Sequence, residues 1–288
     1  MTNKPQSRGE YLLVRNMAES ERLEMQFKAW QANIGYLLHP AIKTHDHMRI
    51  ADVGTGTGLV ANPSERRKIW LRELADVLPS TCQLDGFDLS DTMFPSKENI
   101  SFHHQNLLEL FPDEYLGKYD VANVRVMIAA LSSNEWEVAV RNIITLLKPG
   151  GYLQWVDCAA HEVVVKGVPE GKRATNAQHG IDLIQRTMIS AGKTPNLVAL
   201  CGTFQKSGLE SCEERIYTLD NPETRENLTL TVVTGIQHIL TAALNLDKLD
   251  EMQTIDQIME LKEAILSDLH NVPCYYFFDV HVVVGRKA

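Results

Sequence analysis

The residues best suited to chemistry begin at Asp52, where Asp52-Val53-Gly54-Thr55-Gly56-Thr57-Gly58 sets a carboxylate ahead of three alternating glycines. Glycine at alternate positions permits backbone angles closed to other residues and lets the main chain approach a bound molecule with no Cβ in the way. A carboxylate just ahead of that turn can receive a cation or accept a hydrogen bond. A second acid, Asp88, follows the next apolar run. The spacing is Gly-x-Gly-x-Gly, which differs from the Gly-x-Gly-x-x-Gly of dinucleotide sites and from the Gly-x-x-x-x-Gly-Lys-[Ser/Thr] of phosphate loops. A nicotinamide oxidoreductase is therefore disfavoured. The candidate proton acceptors are His161, His179 and His238, with His103-His104 reading as a structural pair and Asp157 as polar lining. His45-Asp46-His47 lacks a third well-placed ligand, so no metal site is expected.

These groups need elements to hold them. Met48 to Val53 reads as a buried strand that delivers the glycine loop to a helix starting at Asn62-Pro63. Further strands are expected at Cys82–Phe87, ending at Asp88, and at Ile100–His103, leading to Gln105-Asn106. Two more are expected at Tyr119–Val124, releasing Arg125, and at Tyr152–Val156, ending at Asp157. Helical patterns separate them, and Lys148-Pro149-Gly150-Gly151 closes the helix before the fifth strand. This rhythm is that of a doubly wound, mostly parallel α/β sheet, in which ligands lie beyond the carboxyl ends of the strands. Residues 1–47 form an N-terminal helical arm whose apolar stripe is Leu23, Phe27, Trp30, Ile34 and Leu37; within it Tyr11 and Arg15 are candidate lid residues. Residues 48–288 form the main domain. Past Asp157 come a helix with Ile181, Ile184 and Met188, a short helix between Pro195 and Gly208, a strand at Cys212–Leu219, helices at about 223–245 and 254–270, and a closing strand at Tyr275–Gly285. The stretch at about 161–270 is expected to form a helical cap over the active face.

The 288 residues carry 28 Lys+Arg and 37 Asp+Glu, a net charge of −9. That charge opposes binding to nucleic-acid phosphates in the absence of a local basic patch, and neither Arg66-Arg67-Lys68 nor Gly171-Lys172-Arg173 has the interleaved aromatics of one. Five scattered cysteines without Cys-x-x-Cys point to reduced thiols and a cytoplasmic protein. No apolar run reaches the roughly 18 uninterrupted residues of a membrane span, and the N-terminus has no apolar signal core. The expected partner is a small-molecule substrate, with no nucleic acid and no membrane; a homodimer is left open.

Asp-x-Gly-x-Gly-x-Gly at 52–58, Gly86-Phe87-Asp88-Leu89-Ser90, Tyr119-Asp120-Val121, Arg125 and Leu147-Lys148-Pro149-Gly150-Gly151-Tyr152-Leu153-Gln154-Trp155 together resemble the class I S-adenosylmethionine (SAM)-dependent methyltransferases. The arm pattern of Tyr11, Arg15, Glu19, Arg22-Leu23 and Gln26 resembles the fungal secondary-metabolite members in particular. The resemblance implies a seven-stranded Rossmann-like sheet and SAM as cofactor, leaving S-adenosylhomocysteine as product. It implies that Asp52, Gly54, Thr55, Gly56 and Gly58 meet the amino-acid end, that Asp88 holds the ribose hydroxyls, and that Leu89, Asn106 and Leu107 meet the adenine, with Arg125 beside them. Many relatives carry Asp where this chain has Asn106, and an aromatic where it has Leu59-Val60-Ala61. The implied reaction is methyl transfer to O, N or S of a small secondary metabolite. The alternatives are a cyclase or pericyclase that keeps SAM without moving the methyl, and a LaeA-like regulatory protein.

Overall fold

The computed structural model describes residues 17–56, 70–89 and 99–288. Five segments form parallel strands: β1 (Arg49–Val53), β2 (Gln83–Asp88), β3 (Ile100–His104), β4 (Tyr119–Arg125) and β5 (Leu147–Asp157). After the short β6 (Val164–Lys166) come β7 (Leu209–Thr218), β8 (Tyr275–Phe277) and β9 (Asp279–Lys287). The main sheet has seven strands in the order β3-β2-β1-β4-β5-β9-β7, and β9 runs antiparallel to both of its neighbours. Helices are α1 (Met17–Ile34), α2 (Trp70–Val77), α3 (Trp136–Leu146), α4 (Thr175–Ser190), α5 (Leu200–Lys206), α6 (Arg225–Asn245) and α7 (Ile255–Asn271).

Alternation along the strands sorts the core into two layers. Ile50, Leu84, Val121 and Val284 face one way, into a cluster with Trp70, Leu71 and Leu74 of α2. Ala51, Val53, Ala122, Val124, Leu153 and Val283 face the other, against Val140 and Ile143 of α3 and Phe204 of α5. A third cluster joins α1, α4, α6 and α7 to Ile128, Val156 and Cys158, where β4 and β5 end. Helix α6 has the length and apolar composition of a membrane span, but its buried apolar residues belong to this cluster. Helix α4 meets α7 closely at Gly180, where a Cβ would stand 2.6 Å from Ile265 Cδ1. Asp268 of α7 accepts from the Asn176 and Ala177 amides at the start of α4. Thr254 and Gln257 close a capping box at the start of α7.

The structure differs from the sequence reading in three places. Strand β5 begins at Leu147, so Lys148-Pro149-Gly150-Gly151 lies within it, with Gly150 at φ +82° and a register shift opposite Tyr119 and Val121. The segment 275–285 is two strands rather than one: β8 leaves the main sheet to pair with β6, while Phe278 turns into the core. The stretch 161–270 is discontinuous, because β7 joins the main sheet and α5 packs on it, leaving α4, α6 and α7 together with α1 over the strand ends.

A buried polar knot crosses four strands. Asp85 of β2 accepts from Arg49 of β1 at 3.0 Å, from Tyr119 of β4 at 2.9 Å, and pairs with His103 of β3 at 3.1 Å. The other nitrogen of His103 meets the Tyr115 hydroxyl at 3.0 Å, which assigns this histidine to structure. Burial pushes the Asp85 carboxyl up, but the hydrogen bonds from His103, Tyr119 and Arg49 outweigh it and hold its pKa below the usual carboxylate value. Its stabilising contribution is therefore present above the unfolded-state value and is lost as pH falls through the lower folded value. Asp85→Ala, which strands its donors, is expected to cost about 2–4 kcal/mol. The readout is the urea midpoint at pH 7, and the deficit of the variant should shrink toward acid pH. An unchanged midpoint contradicts this account of the knot.

Candidate active site

The strand ends of β1, β2, β4 and β5 bring Asp52, Asp88, Arg125 and Asp157 to one edge of the sheet. Past β1 the chain turns through Gly54 at φ +76° and Gly56 at φ +83°, angles that favour glycine. A Cβ on Gly54 would stand 2.3 Å from Met127 Cε, whereas one on Gly56 would meet open space. The Gly54 and Thr55 amides donate to the Phe87 carbonyl at 2.8 and 3.2 Å, and the Gly56 amide donates to Asp88 Oδ2 at 2.9 Å. Over these residues the loop's amides tie it to β2, so Asp88 also holds the loop in place.

Asp52 is buried, and Asn123 donates to its Oδ1 at 2.8 Å. Behind Asn123, Gln154 donates to the Asn123 side-chain oxygen at 2.9 Å and to the Leu37 carbonyl at 3.0 Å, and accepts from the His39 amide at 2.7 Å. This amide relay runs through the sheet and connects the segment after α1 to the carboxylate. Burial pushes the Asp52 carboxyl up to about 6 against the bond from Asn123 and the charge of Arg125. Its negative charge is thus under-compensated, which is the condition a bound ammonium would relieve.

The Arg125 guanidinium lies over the rings of Phe27 and Trp30 of α1, 5.1 and 5.9 Å from their centroids. Burial draws it down to about 10, with Asp52 and Asp157 opposing the shift, so it stays a cation at neutral pH. Asp157 is fully buried, pushed up to about 6 by burial, and accepts from the Met127 amide at 2.6 Å, the Cys158 amide at 3.0 Å and the Trp155 indole at 3.2 Å. These bonds hold the turn after β4, where Val126 has φ +57°. A β-branched residue in that region stores about 1–3 kcal/mol of strain, which persists only where the surroundings fix it.

Immediately past Arg125 and Asp157 a cavity of about 90 Å³ opens beneath α1, α4 and α6. Val126, Ile128, Cys158, Met188, Ile236 and Phe278 give it an apolar lining, and Arg22, Gln26 and Thr231 also line it.

Of the residues singled out in the sequence, Asp52, Gly54, Thr55, Gly56, Asp88 and Leu89 lie together at the β1 and β2 ends, with Leu89 exposed. Asn106 is engaged in its own turn: its oxygen accepts from the Leu108 amide at 3.0 Å and its nitrogen meets Glu109 at 3.2 Å. Leu107 is half-buried, and its carbonyl accepts from Asn142. Gly58, Tyr11 and Arg15, together with the expected helix start at Asn62-Pro63, lie outside the described residues. The three candidate bases are not brought to the cavity wall. His161 is exposed in a one-turn helix near Glu162, His179 is exposed on α4, and His238 is buried in α6 between lining residues without being one of them. The sequence reading missed Asn123 and Gln154, which face each other in the β4–β5 register. It also missed the strained Val126, and it took Arg22 and Gln26 for arm residues rather than cavity residues.

Residues 22–213 match the family model of the methyltransferase domain. The chain is 28% identical over 271 residues to the methyltransferase grgD of Penicillium sp, covering 87% of each. To the N-methyltransferase tcpN of Claviceps purpurea it is 27% identical over 213 residues, covering 71% of this chain and 70% of the relative. To the N-methyltransferase gliN of Aspergillus fumigatus it is 32% identical over 161 residues, about half of each chain. Among solved structures, a Haemonchus contortus phosphoethanolamine N-methyltransferase 2 in complex with S-adenosylhomocysteine superposes with a TM-score of 0.54 at 14% identity, which shows the shared fold. That alignment covers 99% of this chain, which spans 61% of the worm enzyme. With the glycine loop, the paired strand-end acids and the seven-stranded sheet in place, the chain belongs to the methyltransferase domain family, as a SAM-dependent methyltransferase of the class I fold.

Proposed function

We propose that the protein methylates a small, largely apolar secondary metabolite, with the cofactor across the β1, β2 and β4 ends and the acceptor in the cavity under α1, α4 and α6. The observation that carries this reading is the position of that cavity, which begins one residue past Arg125 and one past Asp157. Relatives named as N-methyltransferases put nitrogen foremost among the acceptor atoms, with oxygen and sulfur remaining. The net charge of −9 favours a small molecule over nucleic acid. An apolar chamber beside the site is what an enzyme with an acceptor needs and what a LaeA-like regulator does not.

Bound at this site, SAM supplies an electrophilic methyl on a sulfonium, and transfer leaves S-adenosylhomocysteine. Asp52, anionic and short of counter-charge, takes the ammonium. The Arg125 cation suits the carboxylate, and Asp88, a two-oxygen acceptor at the end of β2, accepts from the ribose hydroxyls. Exposed Leu89 and half-buried Leu107 offer apolar surface to the adenine, while Asn106 contributes whatever capacity its own turn leaves. Val126, Ile128 and Phe278 keep water from the acceptor side, so the rate derives largely from holding the nucleophile near the methyl in a dry chamber. His161, His179 and His238 have no place in this arrangement. Tyr11 and Arg15 remain lid residues of the proposal.

Two outcomes follow for calorimetric titration with S-adenosylhomocysteine. Asp88→Ala is expected to weaken binding by about 1–3 kcal/mol through lost charged hydrogen bonds, and unchanged affinity contradicts the ribose placement. Affinity is also expected to fall by up to about tenfold per pH unit below about pH 6, as the raised Asp52 carboxyl protonates and loses the ammonium. Asp157 titrates in the same range, so Asp52→Asn separates the two. It should bind weakly with a flattened pH profile, and a profile like that of the parent contradicts the role given to Asp52.

A further inference from the structure

Helix α6 lines the acceptor cavity with Thr231, Val232, Gly235, Ile236 and Ile239, whose spacing makes one stripe of the helix facing the chamber. Gly235 stands at the centre of that stripe and in the middle of α6. A glycine inside a helix lowers its stability relative to alanine, because the unfolded chain is freer. Two structural reasons commonly account for one, and neither applies. Gly235 has helical backbone without a positive φ. Among the described residues nothing lies within 4 Å of the position its Cβ would take. Gly180 of α4 is the contrast, since a Cβ there would run into Ile265 of α7 at 2.6 Å. The remaining reason is close approach of a bound molecule to the backbone. The stripe fixes the direction of that approach. Thr231 and Ile239, one turn before and one turn after Gly235, both line the cavity, so the open space beside its Cα is the cavity's own. The chamber's other side chains include Ile184 and Met188 of α4 and Phe278, all apolar.

We propose that Gly235 sets the depth of the acceptor pocket, and that the acceptor carries an apolar group about the size of an aliphatic side chain, seated against the bare backbone of α6. The assignment rests on the cavity being the acceptor site and adds which wall of the chamber the acceptor's apolar bulk meets. Specificity then comes from reach. An acceptor with that group buries it where no side chain competes, and one without it leaves a gap that forfeits the contacts. A larger residue at 235 would occupy the same space and shorten the pocket from the helix side.

The test uses the full chain saturated with S-adenosylhomocysteine and two neutral probes, 4-methylphenol and 4-isobutylphenol, titrated by calorimetry at pH 7. The second probe carries the hydrocarbon of a leucine side chain. In the parent chain it is expected to bind at least about tenfold more tightly than the first. Gly235→Leu builds the same group into the wall. It is expected to weaken 4-isobutylphenol at least about tenfold while 4-methylphenol stays within about threefold. Gly235→Ala should lie between the two and raise the urea midpoint, since it gains helix propensity and meets no described neighbour. Equal affinities in the parent chain, an advantage that survives Gly235→Leu, or an equal loss of both probes in that variant overturns the role of Gly235 and leaves the cavity's role standing. A lowered midpoint for Gly235→Ala overturns it as well, because the glycine would then serve packing. If neither probe binds while S-adenosylhomocysteine does, the reading of the cavity as acceptor site falls, and the depth assignment with it. The alanine variant and the comparison of probes in the parent chain hold even if Gly235→Leu fails to fold.

Discussion

Two buried carboxylates and a cation at the ends of three neighbouring strands set the terms for everything around them. Asp52 stands one residue before the end of β1, Arg125 ends β4 and Asp157 ends β5, and each is desolvated enough for its proton affinity to shift against its charge. Holding charge in so dry a place is unfavourable unless each group has partners. Asp157 finds them in backbone and indole N–H groups, Arg125 in the faces of Phe27 and Trp30 and the charges of Asp52 and Asp157, and Asp52 in the Asn123 amide and the charge of Arg125. Of the two carboxylates, Asp52 is the one beside the glycine loop, where a ligand with an ammonium group would add to its partners.

The same requirement links the arm to the sheet. The relay from Leu37 and His39 through Gln154 and Asn123 to Asp52 passes through side chains with almost no exposure. Each amide in it both donates and accepts, so its order is fixed by satisfaction of buried polar groups. On the other side of Arg125, α1 supplies the aromatic faces and then, a turn earlier, Gln26 and Arg22 of the cavity wall. One helix therefore touches both Arg125 and the cavity. The strained Val126 turn, held by Asp157, stands at the boundary between them.

Much of this was legible in the sequence because it is local. A strand-glycine-helix pattern, an acid at the next strand end and alternating apolar residues specify β1, β2 and the glycine turn with little help from distant contacts. The seven-stranded sheet followed from repetition of that unit and from a resemblance carried by several motifs at once. What depends on contacts distant in sequence was not legible. Asn123 and Gln154 are single polar residues inside apolar strands, and only the β4–β5 register shows that they face one another. Val126 occupies a backbone region that its own side chain disfavours, so no local preference foretells it. The histidines were chosen for their nearness in sequence to strand ends or cap helices, which fixes neither direction nor depth. For His179 a better signal was present: the stripe Ile181, Ile184 and Met188 already turns the inner face of α4 away from it. Arg22 and Gln26 read as part of an arm motif, and their place on the cavity wall became visible once α1 was seen lying against Arg125 at the end of β4.

The central claim is that the cofactor lies over Asp52, Asp88 and Arg125 with its sulfur directed at the chamber under α1. A crystal structure of the complex with S-adenosylhomocysteine tests it most directly. The account predicts the ribose within hydrogen-bonding distance of Asp88 and the sulfur facing the chamber beside Val126. Density for the ligand elsewhere, or a sulfur turned away from that chamber, would contradict it.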